Sequence, residues 1–373
     1  MSLGPSSLAD RSLLWQRIRA ADMQTVAVMG MTKNTGKTVA MNHLLAAAAA
    51  DHMAVGLTSI GRDGEATDAV FAIPKPPVWV WPGMLVATAK TTLVRSKVRT
   101  QRLGHTGVHS PMGEIVLVKV LEAGEMEVAG ASRSHDQLRV MAQLRQCGAA
   151  LVLIDGALGR SHHASPAMAD GVVLATGAAL GGGLADVLRK TRERLALLSL
   201  PAADALTRQQ LGHFFDAAGV GLWAANGQPI WQAEVASLNA AALLLEQAAT
   251  CQPDLVAVTG AVGRQLWAAL ETLAQRHPGL RIVVADGTRL FVDAADLHRL
   301  QHQGAQLMAW RAITLTGITV NPFSPLGGHL EATELLAAAR HTFPSHVVTD
   351  VLLAESPADP PIFEEHPHGP SGT

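Results

Sequence analysis

Short apolar runs alternate with longer stretches of helical periodicity through the N-terminal half of the chain, the signature of βαβ units around a parallel sheet. TVAVMG predicts a strand over 25–30 and VGLTSI another over 55–60, with a helix over 37–51 between them. Further strands are predicted at 115–120 (IVLVKV), 127–131, 151–154 and 172–175, with a helix over 134–146. Pro74, Pro76, Pro77 and Pro82 make the 61–82 region a loop. Beyond Pro201 the pattern changes. Asn226-Gly227 between apolar runs signals a hairpin turn, and strands follow at 254–260, 280–286 and 313–322. The expected architecture is α/β, a mostly parallel sheet with helices on both faces plus a second α/β lobe. It divides into an N-terminal helix or extension (1–22), a first domain (23–201), the second lobe (202–355) and a Pro-rich, disordered tail (356–373). No internal repeat interrupts this order.

The segment joining the first strand to its helix carries the most specific chemistry. It reads MGMTKNTGKTV, so that TGKT closes a loop between a β-branched strand and a helix, the context a phosphate-binding loop requires. Loop and helix-start N–H groups face an anion there, and the helix dipole favours negative charge. Gly30, Thr32, Lys33, Asn34, Thr35, Gly36, Lys37, Thr38 and Val39 are the candidate nucleotide contacts. Gly36 admits close backbone approach, Lys37 reaches the β- and γ-phosphates, and Thr38 is the candidate Mg²⁺ ligand. One departure stands out: the GxxxxGK(S/T) spacing calls for glycine at 31, where this chain has Met31, with Gly30 one place earlier. Lys33 is a second loop cation, either a phosphate contact in its own site or across a dimer, or a solvated loop lysine.

A carboxylate at the end of a neighbouring strand should complete the metal site. LVLID supplies Asp155, preferred over Asp286 of RIVVAD because it lies in the same lobe as the loop. GRDGE, after the second strand, falls at the carboxyl edge of the sheet. There Arg62 could stabilise a transferring phosphoryl group, and Asp63 or Glu65 could hold Mg²⁺ or orient water; a charged surface turn is the plain alternative. Arg160, His162, His163, Ser165 and Asp170 follow Asp155 and suggest a switch or substrate loop. The adjacent histidines point apart and are not read as a metal site. No NKxD guanine signature is present, which favours ATP over GTP, and there is no nucleophile elbow, kinase HRD or DFG set, or HExxH.

Composition excludes several classes. Charged residues make up 16%, with 29 Lys plus Arg against 31 Asp plus Glu, and no basic stripe, so nucleic acid is not an expected partner. The two cysteines, Cys147 and Cys251, form no CxxC pair, which fits a reducing cytoplasm. No apolar run is long enough for a membrane span, and the N-terminus lacks a signal-peptide pattern.

TKNTGKT resembles the loop of the P-loop class that includes dethiobiotin synthetase and the MinD-type ATPases. More closely, MGMTKNTGKT, IGRDGE, IDGALGR with SPAMADGVVLATGA, and ITVNPFSPLG together resemble the ATP-binding subunit of the lysine 5,6-aminomutase reactivating factor, over about residues 24–351. That resemblance implies an Mg²⁺-dependent ATPase that releases damaged cobalamin from an adenosylcobalamin-dependent lysine or ornithine aminomutase, working with a second ATPase subunit. It implies Lys37 and Thr38 for the nucleotide and Asp155 for the metal. The chain has no DxHxxG cobalamin motif. Two alternatives stand beside it: a dethiobiotin synthetase-like ligase, and a non-hydrolysing nucleotide-binding subunit. Homo-oligomerisation is compatible with each.

Overall fold

A computed structural model describes residues 8, 12–60, 77–156, 165 and 167–353. The chain divides into two compact units. The first is Met1–Leu158 with Val173–Leu188 and Thr316–Thr373; the second is Gly159–Val172 with Arg189–Leu315.

The first unit is built on a nine-stranded sheet. Its strands are β1 (Thr25–Gly30), β2 (Val55–Ser59), β4 (Leu85–Ala89), β5 (Thr100–Ser110), β6 (Gly113–Val120), β8 (Leu151–Asp155), β9 (Gly171–Gly177), β15 (Leu315–Asn321) and β16 (Val348–Thr349), in the order β16-β15-β9-β1-β8-β2-β4-β6-β5. The β1–β8, β8–β2, β2–β4 and β15–β16 pairs are parallel, and β4–β6 and β6–β5 are antiparallel. Two short strands, β3 (Val78–Val80) and β7 (Gly124–Met126), pair separately.

β1, β2 and β8 are buried along their length because both faces of the sheet are covered. On one face α2 (Lys37–Ala50) packs Met41, Leu44 and Leu45 against Val26, Val28, Leu57 and Leu153. Its alanines leave little side-chain bulk, so it sits deep, and α1 (Leu13–Ala20) covers it. Ser12 caps α1 by accepting the Trp15 N–H at 3.2 Å. Leu14, Trp15 and Ile18 form the buried stripe of α1. Burying each such side chain is worth about 1.5–3 kcal/mol. On the other face lies α4 (Ser134–Gln146), where a side chain at Gly56 would meet Leu144 and Gln137 Nε2 donates to Thr58 Oγ1 at 3.3 Å. A short helix, α3 (Lys90–Arg95), follows β4.

The second unit holds a five-stranded sheet, β11-β10-β12-β13-β14, from β10 (Val220–Trp223), β11 (Pro229–Ala233), β12 (Leu255–Val258), β13 (Arg281–Val284) and β14 (Gln306–Ala309). β10–β11 is the hairpin that Asn226-Gly227 predicted; β12, β13 and β14 run parallel. The helix α5 (Arg264–Arg276) buries Leu266, Trp267, Leu270, Leu273 and Ala274, one stripe at helical spacing, against that sheet.

Two expectations require correction. The predicted strand 313–322 is β15 of the first sheet, and the chain re-enters the first unit at Thr316. The predicted strand 127–131 pairs with no ladder; its strand is β7, just before it. Its backbone is satisfied against the end of β4, where Ala89 N–H donates to Ala129 O at 2.8 Å and Ala129 N–H to Thr88 Oγ1 at 2.9 Å. The predicted tail, 356–373, lies outside the described residues. No helix among the described residues is long and apolar enough to cross a membrane.

Candidate functional site

The loop between β1 and α2 is shaped by two residues in left-handed conformation. Asn34 has φ 62° and Gly36 φ 85°. Asparagine tolerates that region and glycine enters it freely. Thr35 is buried, and its hydroxyl donates to Thr32 O at 2.8 Å, closing the turn. A side chain at Gly30 would meet Thr35 Oγ1 at 2.8 Å and Thr32 O at 3.1 Å. Gly30 thus provides the close approach, one place before the motif position. Met31 instead extends the sheet, its N–H donating to Ala175 O at 2.9 Å. The departure from the usual spacing therefore shifts the glycine by one residue and leaves the loop's turn intact.

α2 begins with Gly36 as a cap that supplies no side-chain hydrogen bond, and its first bond is Ala40 N–H to Gly36 O at 2.9 Å. The N–H groups of Lys37, Thr38 and Val39 therefore point out of the N-terminal end of the helix, towards the loop. That end attracts anions. Val39 itself packs on the apolar core, so only its backbone is offered to a ligand. Lys33 and Asn34 are exposed on the loop.

Lys37 reaches back across the sheet edge. Its ammonium donates to Gly156 O at 2.6 Å and lies 2.7 Å from Asp155 Oδ1, the residue ending β8. β8 is the parallel neighbour of β1, with Val28 level with Asp155, and this register brings the two charges together. Asp155 is 6% exposed, and its Oδ1 has no aligned hydrogen-bond donor despite the nearby ammonium. We read the contact as an ion pair rather than a hydrogen bond.

Thr38 and Asp155 line the same cavity, of about 630 Å³. No group of three or more His, Cys, Asp or Glu side chains capable of holding a metal occurs among the described residues. A cation here would depend on Thr38, Asp155, water and the ligand's own oxygens. That donor set suits Mg²⁺, which keeps waters and takes one or two carboxylates alongside phosphate.

Asn321, at the end of β15, is a contributor that residue spacing alone does not disclose. Its Nδ2 donates to Asn34 O at 3.0 Å, its Oδ1 accepts from Phe323 N–H at 3.1 Å, and its Cβ would lie 3.0 Å from a side chain at Gly36. Asn321 thus braces both left-handed residues of the loop. The only hint in the sequence was NPF after an apolar run.

Asp286, the competing carboxylate, belongs to the second unit. It is buried and saturated by protein donors: Ser165 Oγ at 2.6 Å, Thr288 N–H at 2.9 Å and the Thr288 hydroxyl. Its oxygens serve the local turn. Ser165 is therefore a structural partner of Asp286, and Asp170 is exposed. Arg62, Asp63, Glu65, Arg160, His162 and His163 lie outside the described residues.

No family model matches this chain, and comparison with curated proteins and with solved structures returns no significant match.

Proposed function

We propose that this chain binds ATP with Mg²⁺ at the 31–38 loop and hydrolyses it, as the ATP-binding subunit of a chaperone that reactivates an adenosylcobalamin-dependent lysine or ornithine aminomutase. The pairing of Lys37 with Asp155 beneath an uncapped helix N-terminus carries the nucleotide part. The motif resemblance carries the client. Lys37 would move from Asp155 to the terminal phosphates, and the α2 N–H groups would cradle them. Thr38 and Asp155 would hold the Mg²⁺, which when bound would neutralise charge developing on the phosphate oxygens. Chaperone work requires that the client bind differently to the nucleotide-bound and nucleotide-free forms.

The test is ATP turnover by the purified chain, alone and with an inactivated aminomutase and fresh cobalamin. The proposal expects slow turnover alone, acceleration by the client, and recovery of mutase activity that depends on ATP. Full turnover with a small substrate and no effect of the mutase would contradict it. A second reading, a dethiobiotin synthetase-like ligase in a reducing cytoplasm, is favoured by one observation: the cavity beside Thr38 and Asp155 is large enough for a small-molecule substrate.

A further inference from the structure

β1 lies between β8 on one side and β9, then β15, on the other. Asp155 ends β8, and the Lys37 ammonium turns towards it. A triphosphate whose terminal end meets Lys37, Thr38 and Asp155 on that side directs its nucleoside to the other. The end of β15 lies there, two strand spacings or about 10 Å from β1.

That end of β15 presents an aromatic surface tied to the phosphate loop. Asn321 closes β15 and donates from Nδ2 to Asn34 O at 3.0 Å. Its Oδ1 accepts the Phe323 N–H at 3.1 Å, which holds Phe323 on the same anchor. The 322–330 segment then closes on itself. Leu330 N–H donates to Pro322 O at 3.0 Å, Gly327 N–H to Ser324 O at 3.1 Å, and Ser324 N–H to His329 Nδ1 at 3.0 Å. The last bond fixes the imidazole, which stacks on Phe323 with ring centroids 4.8 Å apart and planes 25° from parallel. Phe323 is nonetheless 56% exposed. With His329 on one face, the ring offers its other face to a ligand. Single exposed apolar side chains are commonplace, but this one is braced by a second ring and by a residue that touches the phosphate loop.

We infer, resting on the nucleotide function proposed above, that Phe323, backed by His329, is the stacking platform for the base of the bound triphosphate and favours purines over pyrimidines. Base–aromatic stacking is open to every base, and stacking strength sets its preferences. A purine's two fused rings cover more of the phenylalanine face than a single pyrimidine ring does. His329 is a positioning residue, holding Phe323 from behind.

Equilibrium titration of the intact chain, with Mg²⁺ throughout, compares ATP, CTP and inorganic tripolyphosphate. Tripolyphosphate probes the loop without a base. The wild type is expected to bind ATP several-fold more tightly than CTP. Phe323→Ala, at an exposed position, should lose at least about fivefold in ATP affinity, keep its tripolyphosphate affinity, and no longer separate ATP from CTP. Phe323→Trp should retain both the ATP affinity and the preference. Unchanged ATP affinity in Phe323→Ala, an equal loss for tripolyphosphate, or equal affinity of the wild type for ATP and CTP would overturn the inference while leaving the loop as a phosphate site. If the wild type binds neither ATP nor tripolyphosphate, the nucleotide reading fails and the base platform with it.

Discussion

Lys37 Nζ sits 2.7 Å from Asp155 Oδ1, joining the first turn of α2 to the end of β8. The side chains are 17% and 8% exposed, so the pair is largely removed from water. Removing one member of such a pair strands the other, at a cost of about 3–5 kcal/mol for full burial, and somewhat less at this exposure. Asp155→Asn is therefore expected to lower thermal stability while leaving metal-free nucleotide binding within a few-fold. It should also abolish the gain in affinity that Mg²⁺ confers. Calorimetric titrations with and without Mg²⁺ measure this.

Asp286→Asn separates the two candidate carboxylates. Asp286 accepts from Ser165 and Thr288 inside the second unit. Its loss should destabilise that unit by about 1–3 kcal/mol through disrupted buried hydrogen bonds. Mg²⁺-dependent nucleotide affinity should be unchanged, as denaturant melts and titrations on the same preparation would reveal.

Gly36 and Asn321 form a coupled pair. Gly36→Ala puts a side chain at φ 85° and 3.0 Å from Asn321 Cβ, which should cost about 1–3 kcal/mol and weaken nucleotide binding. Asn321→Ala removes the brace on Asn34 O and should weaken nucleotide binding about tenfold with the fold retained, a loss of roughly 1.4 kcal/mol. Combined, the two changes should fall only slightly short of additive, because alanine at 321 keeps the Cβ that lies 3.0 Å from the new side chain and removes only the 3.4 Å contacts with Cγ and Nδ2. A double-mutant cycle on the dissociation constant reads this directly.

His43 makes folding sensitive to acid. It is fully buried on α2, with Nε2 2.7 Å from Ser12 Oγ and Nδ1 without a partner. Burial pushes its pKa down from 6.5 to about 4. The unfolded chain therefore takes up the proton more readily than the folded one. The stability that neutral His43 provides is complete above about pH 6.5 and is lost as pH falls towards 4, amounting to about 3 kcal/mol below that. His43→Leu should flatten this part of the profile, as chemical denaturation between pH 4 and 7 would show.

The parts of this molecule legible in sequence were those governed by local pattern. β1 and α4 fall where period and β-branching put them, and the start of α2 follows from Gly36-Lys37. Asn226-Gly227 marked the β10–β11 hairpin. What escaped depended on long-range placement. β4 and β14 are short and carry no distinguishing alternation, and 313–322 looks like any other apolar strand until β15 is seen in the first sheet. Asp155 ends β8 and Asp286 follows β13; sequence position alone favoured Asp155, and the neighbours of each, Lys37 for one and Ser165 with Thr288 for the other, supply the physical difference. Asn321 acts on a loop nearly three hundred residues earlier in the chain, a relationship no local pattern encodes.

Equilibrium titration of Mg²⁺ and ATP into the intact chain, compared with Lys37→Ala of verified circular dichroism, tests the central claim most directly. The account predicts saturable 1:1 binding to the wild type and loss of at least about a hundredfold in the variant, or roughly 2.7 kcal/mol. Equal affinity in a folded Lys37→Ala chain, or no binding to the wild type, would contradict it.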